Sequence, residues 1–361
     1  MFDLKHYVPI LKWKRAEQGA LAALSVEHKK NITPLIQFVM PNQKKEEQLK
    51  DVVQRFTEQI YQIPDKIGEV WGNTPIFVDF SLLFTTELKI KSLKYILKEG
   101  RDPGITLIPV IHLNDDSKIK KVAYSLSKEN GSGLCLRIIC SDFSDLMKFN
   151  KDVADILSVS GLSEKDIDLL VDIKEIEEKD NKCAKYFALG QKINNLSKWR
   201  TFTFASGAFL KDLSNCKFDE ENHILRLDWE NWKDKITNQK LNRKPSFADY
   251  TIQYPIYENI SQFFHPTTSI KYTLENEWLI MKGKKQKFEL YLASAAELVK
   301  DNRFYGENFS FGDKYIADKA RHFMVYIKNP AIKGTGSTET WLKAGINHHL
   351  VLTANQVASL P

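Results

Sequence analysis

Eight short runs rich in β-branched and aromatic residues recur along most of the chain, at residues 7–14, 32–38, 75–80, 106–113, 133–140, 168–173, 200–206 and 247–252. Several of them end on a charged residue. The stretches between are charged, and their apolar positions recur at intervals of three and four, the helical spacing. Leu49, Val52, Val53, Phe56 and Ile60 give the clearest example. This spacing predicts helices over 15–28, 45–63, 87–98, 117–128, 143–157 and 177–196. Ser141-Asp142 and Ser163-Glu164 supply the oxygen side chains that cap helix starts.

Strands alternating with helices make a parallel sheet, either closed into a barrel or open and doubly wound. Eight units favour closure. An open sheet would also carry a Gly-rich first turn, whereas here Lys12-Trp13-Lys14-Arg15 follows the first run, with no glycine before Gly19. Beyond Ile252 the pattern changes. Residues 269–274 and 277–281 read as a hairpin around Glu275-Asn276, and helix-like pieces follow at 288–300, 313–327 and 338–360. The expected fold is an α/β, TIM-like (β/α)8 barrel over residues 1–255. Residues 256–361 are expected to form a β-hairpin and helical extension that completes or caps it.

A chain of 361 residues suits one such barrel with a decorated end. With 43% hydrophobic and 27% charged residues, disordered and fibrous classes drop out. No apolar run approaches the roughly 20 residues that cross a bilayer. The N-terminal residues enter a strand without a secretory apolar region. Cys135, Cys140, Cys183 and Cys216 show no CxxC pairing and no metal spacing. A reduced, cytoplasmic protein without membrane contact is expected. The net charge of +6 is a mild excess spread along the chain, which reads first as a solvated surface with slightly more Lys than Glu and only second as a preference for anionic ligands or nucleic acid.

A barrel keeps its chemistry at the C-terminal ends of its strands. Two-residue bookkeeping along the strands places charges there after an apolar residue two positions earlier. The resulting mouth contains Lys12, Lys14, Glu17, Asp79, Arg137, Asp172, Lys174, Asp249 and Tyr250. In one reading, Lys12, Lys14, Arg137 and Lys174 bind a phosphate while Asp79, Asp172, Asp249 or Tyr250 does acid–base work. The carboxylates alone could instead hold Mg²⁺, although no His/carboxylate spacing typical of metal ligands is visible. In the other reading the charges form structural salt bridges at strand ends. His112 near the fourth strand end is a lone candidate acid or base, while His348 and His349, two turns after Trp341, suggest a packed aromatic seam. The run from Lys333 to Ser337 is an anion-cradling loop or a helix cap. No GxSxG, HExxH or GxxxxGK[ST] is present, which leaves those chemistries without support.

The opening Tyr7-Val-Pro-Ile-Leu-Lys12 with Lys14, Glu17 and Ala20-Leu21, followed by Ile32-Thr-Pro-Leu-Ile36, resembles the "beta family protein" group of bacteria and phages. Ala248-Asp249-Tyr250, Ser269-Ile-Lys-Tyr-Thr273, Trp278-Leu-Ile-Met-Lys-Gly283 and Trp341-Leu-Lys-Ala-Gly-Ile-Asn-His-His349 extend the likeness over nearly the whole chain. The sequence departs from that pattern at Gln37, where an acid is commoner, at Ala248 for Gly and at Lys271 for Arg. The resemblance implies the architecture, nominates Lys271 and His349 as further ligand-binding positions, and implies a phage–host conflict or antiviral defence setting. It brings no reaction. Two functions stay open: a barrel that binds or cleaves a nucleotide or nucleic-acid phosphate, as a phosphodiesterase or nucleotide hydrolase would, and a non-catalytic protein that holds a protein partner. The first expects Asp79, Asp172, Asp249 and Arg137 to converge in one cleft. The second expects an exposed apolar or basic patch on the C-terminal helices.

Overall fold

A computed structural model describes residues 2–99, 104–258 and 267–361. Eight parallel strands close into a barrel: β1 (Tyr7–Lys12), β2 (Leu35–Gln37), β3 (Ile76–Asp79), β4 (Leu107–His112), β5 (Leu134–Ile139), β6 (Ile167–Glu175), β7 (Thr201–Gly207) and, after β8 (Glu221–Leu225), β9 (Ser246–Asp249). Each expected barrel strand is present. β9 pairs with both β7 and β1, in the registers Phe204 to Phe247 and Val8 to Ala248. Closure leaves the barrel no free edge.

The strands are buried on both faces, as parallel strands wrapped in helices must be. Val8, Ile10, Leu35, Phe77, Val110, Leu170 and their neighbours fill the inside as one apolar cluster. Phe2 closes its lower end, stacked on His6 and edge-on to Phe77. Arg200 clamps Asp168 at the start of β6, with Nη2 2.6 Å from Oδ2. A larger cluster lies between the outer barrel wall and the helices.

The expected hairpin forms as β10 (Thr267–Thr273) and β11 (Glu277–Lys285). β11 also pairs with β8, giving a three-stranded antiparallel sheet in the order β10-β11-β8. The final helix, Thr338–Ala358, packs against β1, the first helix (Arg15–Ala22), β10 and the helix Phe311–Tyr326. It fills the position between the eighth and first barrel strands, and it is buried on every side along most of its length. Gly312 and Gly345 let the backbones close up. A Cβ at Gly312 would lie 2.1 Å from the Ala344 carbonyl oxygen, and one at Gly345 would lie 2.8 Å from that of Lys271. Ser337 Oγ accepts the Thr340 amide at 3.1 Å, which makes the Lys333–Ser337 run a helix cap. Among the described residues no helix is long and apolar enough to cross a membrane.

Candidate functional site

The inward-facing strand ends carry charges, and a single arginine ties them together. Arg137 on β5 is fully buried and donates through Nε and Nη2 to Asp172 Oδ2, at 3.0 and 2.7 Å. Its Nη1 donates to Asp79 Oδ2, and Nη2 also reaches the Tyr250 hydroxyl at 2.8 Å. Tyr250 in turn donates to Asp172 Oδ2 at 2.7 Å, and Lys174 Nζ lies 2.9 Å from that hydroxyl and 3.0 Å from the carboxylate. Gln37 Nε2 approaches Asp79 Oδ2 at 3.4 Å. Five strand ends thus share one buried network.

Burial alone would raise the Asp79 and Asp172 carboxyls. At Asp79 the pull of His112 and Arg137 outweighs it, and at Asp172 the charges of Lys174 and Arg137 do so. Both are held well below the usual carboxylate range. His112 Nε2 sits 3.7 Å from Asp79 Oδ2, beyond hydrogen-bond length, so its effect there is electrostatic. Carboxylates held this firmly in the charged form make weak bases. Burial, and then the Asp172 charge, push the Tyr250 phenol well above its ordinary value, so it remains a donor.

The lysines at the mouth are placed differently. Lys12, the last residue of β1, is only 6% exposed. Its ammonium reaches Gln253 Oε1 at 3.4 Å and the Tyr254 carbonyl at 3.5 Å, both long contacts to neutral acceptors. No carboxylate of the described residues lies within ion-pair distance of it. Burial lowers its pKa to about 8; the charge of Glu17 pulls it up, and those of Lys14, Lys174 and Arg137 push it further down. Lys14, at the start of the first helix, stands over the Tyr257 ring at 4.9 Å and is also lowered by burial. Glu17, one turn on, is buried and raised for the same reason. Its Oε1 accepts from Gln253 Nε2 at 2.8 Å, and its Oε2 has no hydrogen-bond partner among the described residues. His112 Nε2 likewise has none. Lys174 adopts a left-handed backbone (φ +60°) at an irregularity of β6, where its amide caps Asp172 Oδ1 at 3.0 Å. Strain of that kind gathers at functional sites.

Three expected members lie elsewhere. Asp249 shares a face with Phe247, and that face looks outward, so Asp249 does not join Asp79 and Asp172. It accepts from the Tyr7 hydroxyl at 2.5 Å and is 2.8 Å from His349 Nε2, between the barrel wall and the final helix. His349 is therefore a clamp of that helix, and its Nδ1 meets Thr273 Oγ1 at 3.0 Å. Burial chiefly lowers the His349 pKa, while the nearby His349 holds Asp249 low against its own burial. Asp228, buried close by, is pushed up to about 7 by burial and then by the Asp249 charge. Lys271 lies under the loop after β9, over the Phe209 ring at 4.6 Å and 3.4 Å from the Ile252 carbonyl. The expected single cleft is in fact two buried networks, one on each side of β9.

Gln253 and Tyr257 were not foreseen at the mouth. They lie in the loop after β9, where no periodicity marks a facing direction. Nor were Arg226, at the N-cap of the helix Leu227–Asn238, and Asp228 in its first turn. The residues do not fit a Mg²⁺ site: among those described, no three His, Cys, Asp or Glu side chains are placed to ligate one ion. Asp79 and Asp172 both direct an oxygen at Arg137 instead.

The Beta protein family model matches the chain over residues 7–354. No curated protein matches it. Among solved structures, one described as "Crystal Structure of SacUVDE" aligns with 69% of this chain and 94% of its own, at 13% identity and a TM-score of 0.26. At that level of likeness no property of that protein carries over.

Proposed function

The chain belongs to the Beta protein family, and from its site we propose that the C-terminal mouth of the barrel binds a small anionic, phosphate-containing ligand such as a nucleotide. The observation that carries this reading is Lys12, a buried ammonium with three cations nearby and no carboxylate in ion-pair distance. Burying a charge unpaired costs several kcal/mol, and an anion seated between Lys12, Lys14 and Lys174 would relieve that cost. Arg137, Asp79 and Asp172 would act as the rigid floor on which Lys174 and Tyr250 are held. A nucleic-acid strand fits less well, because the cations are recessed and polymer binding relies on an open basic surface.

Thermal-shift and calorimetric titrations with pyrophosphate, nucleotides and a single-stranded oligonucleotide test the reading. Pyrophosphate or a nucleotide should raise Tm, and Lys12→Gln combined with Lys14→Gln should abolish the rise. No response to any anion in the unmodified protein would sink it. The alternative, a partner-binding protein, draws on exposed Met324, Val325, Ile327 and Ile332 at the end of the helix Phe311–Tyr326 and just beyond it. It would gain ground if no anion bound and if Met324→Glu with Ile327→Glu changed the protein's association state.

A further inference from the structure

We infer that Lys12 is a reactive amine that forms an iminium bond with a carbonyl compound carrying a phosphate or carboxylate, with Glu17 moving the protons. The inference rests on the mouth being an anion site and adds what the site does to its ligand. A lysine that served only as a point charge would sit hydrated or against a carboxylate. Lys12 does neither. Gln253 separates it from Glu17, taking the Glu17 carboxylate through its amide nitrogen at 2.8 Å and offering its carbonyl oxygen to Lys12 at 3.4 Å. The amine and the carboxyl are thereby held side by side without forming a salt bridge, and the free Glu17 Oε2 is available for proton transfer. Desolvation and neighbouring cations are the two means by which a lysine becomes nucleophilic near neutral pH, and both act here. Lys14 and Lys174 are placed to hold the charged end of the ligand.

The step balances without another reagent. The Lys12 nitrogen lone pair forms the C–N bond, the carbonyl π pair moves to oxygen, and that oxygen takes the proton of the Glu17 carboxyl. The Glu17 carboxylate then removes one proton from the nitrogen, giving a neutral carbinolamine. It returns that proton to the hydroxyl, which leaves as water while the nitrogen lone pair forms the C=N bond. The products are an iminium cation, a Glu17 carboxylate and one water.

Lys271 supplies an internal control. Burial lowers it to about 8 as well, but among the described residues its ammonium meets the Phe209 ring, the Ile252 carbonyl and the charge of the Cys216 thiol, with no ion pair to an Asp or Glu. The test uses the whole protein at pH 7.5 with glyoxylate, glycolaldehyde phosphate or uncharged acetaldehyde. Cyanoborohydride traps any iminium, which is then mapped by peptide mass spectrometry. The expected result is one dominant adduct on Lys12 with the charged aldehydes, formed at least ~10-fold faster than on any other lysine. Pyrophosphate should slow it, and Glu17→Gln should slow it ~10-fold or more. The preferred aldehyde, phosphate or carboxylate, identifies the anionic group. Label spread over surface lysines, or centred on Lys271, overturns the inference. If pyrophosphate still raises Tm in that case, the anion site stands and only the amine chemistry fails. If pyrophosphate has no effect, both fail together. Because mapping is done on the unmodified chain, the result does not depend on a variant folding.

Discussion

Replacing Arg137 with Met would remove the one guanidinium that holds three strand ends together while keeping most of the volume of its stem. Removing one partner of a buried ion pair costs about 3–5 kcal/mol. Here two fully buried carboxylates lose the same partner. Asp172 keeps Lys174 at 3.0 Å, whereas Asp79 is left with His112 at 3.7 Å, so Asp79 carries most of the penalty. We expect a loss of about 5 kcal/mol at pH 8, a large share of the roughly 5–15 kcal/mol by which folded proteins are stable. The pH dependence follows from the signs of the shifts. In the unmodified protein both carboxyls lie below their unfolded values, so their stabilisation is complete above about pH 4 and is lost as pH falls through the folded values. In Arg137→Met burial is opposed only by His112 at Asp79 and by Lys174 at Asp172, so both carboxyls rise and the folded variant takes up protons more readily than the folded parent does. The deficit should therefore be largest at pH 8 and shrink by pH 5. Urea unfolding followed by the fluorescence of the seven tryptophans at pH 8, 6.5 and 5 measures it. A deficit below ~1 kcal/mol at pH 8, or one that widens on acidification, would refute the reasoning.

Two further substitutions separate binding from stability. Lys12→Met should raise the stability of the ligand-free protein by up to about 3 kcal/mol at pH 7, since a folded pKa of about 8 against 10.5 unfolded penalises the charged form. The gain should fade as pH rises from 8 to 10.5, where the unfolded state loses its extra proton; a variant less stable than the parent in thermal melts at pH 7 would contradict this. Asp249→Asn should cost roughly 2–4 kcal/mol by weakening two charge-assisted hydrogen bonds in a fully buried place, yet leave pyrophosphate affinity within ~2-fold. Loss of binding by calorimetry in a folded Asp249→Asn protein would return that residue to the mouth.

The barrel was legible because strands buried on both faces leave nearly unbroken apolar runs, and eight such runs with helical spacing between them allow few other folds. Parity located Lys12, Asp79, Arg137 and Asp172 correctly from the apolar residue two positions before each. The same rule failed at Asp249. When both faces of a strand are apolar, a two-residue period groups residues without saying which group is inside. Phe247 packs outward against Trp229 and Trp232, and it takes Asp249 with it. β8 escaped notice because its Glu-Asn-His-Ile-Leu run is short and half exposed. The helix Ile63–Trp71 was hidden by Pro64, which lies in its first turn, where proline is tolerated, and does not end the helix before it.

The charges at the mouth divide into a part that is settled and a part that is not. Arg137 and Lys174 stand against Asp79 and Asp172, and hydrogen bonds close that set on itself. What is left is Lys12 and Lys14 against Glu17, with no ion pair of 4.0 Å or less drawn among them by the described residues. Evolution toward stability alone would favour an apolar residue at Lys12, which follows Val8 and Ile10 of the inner apolar cluster on the same face of β1. A buried surplus cation beside a raised carboxyl is a cost that the fold does not need, and it stands at the strand ends where barrels of this type place their chemistry. The settled half fixes geometry, and the unsettled half is where a ligand changes the energy most.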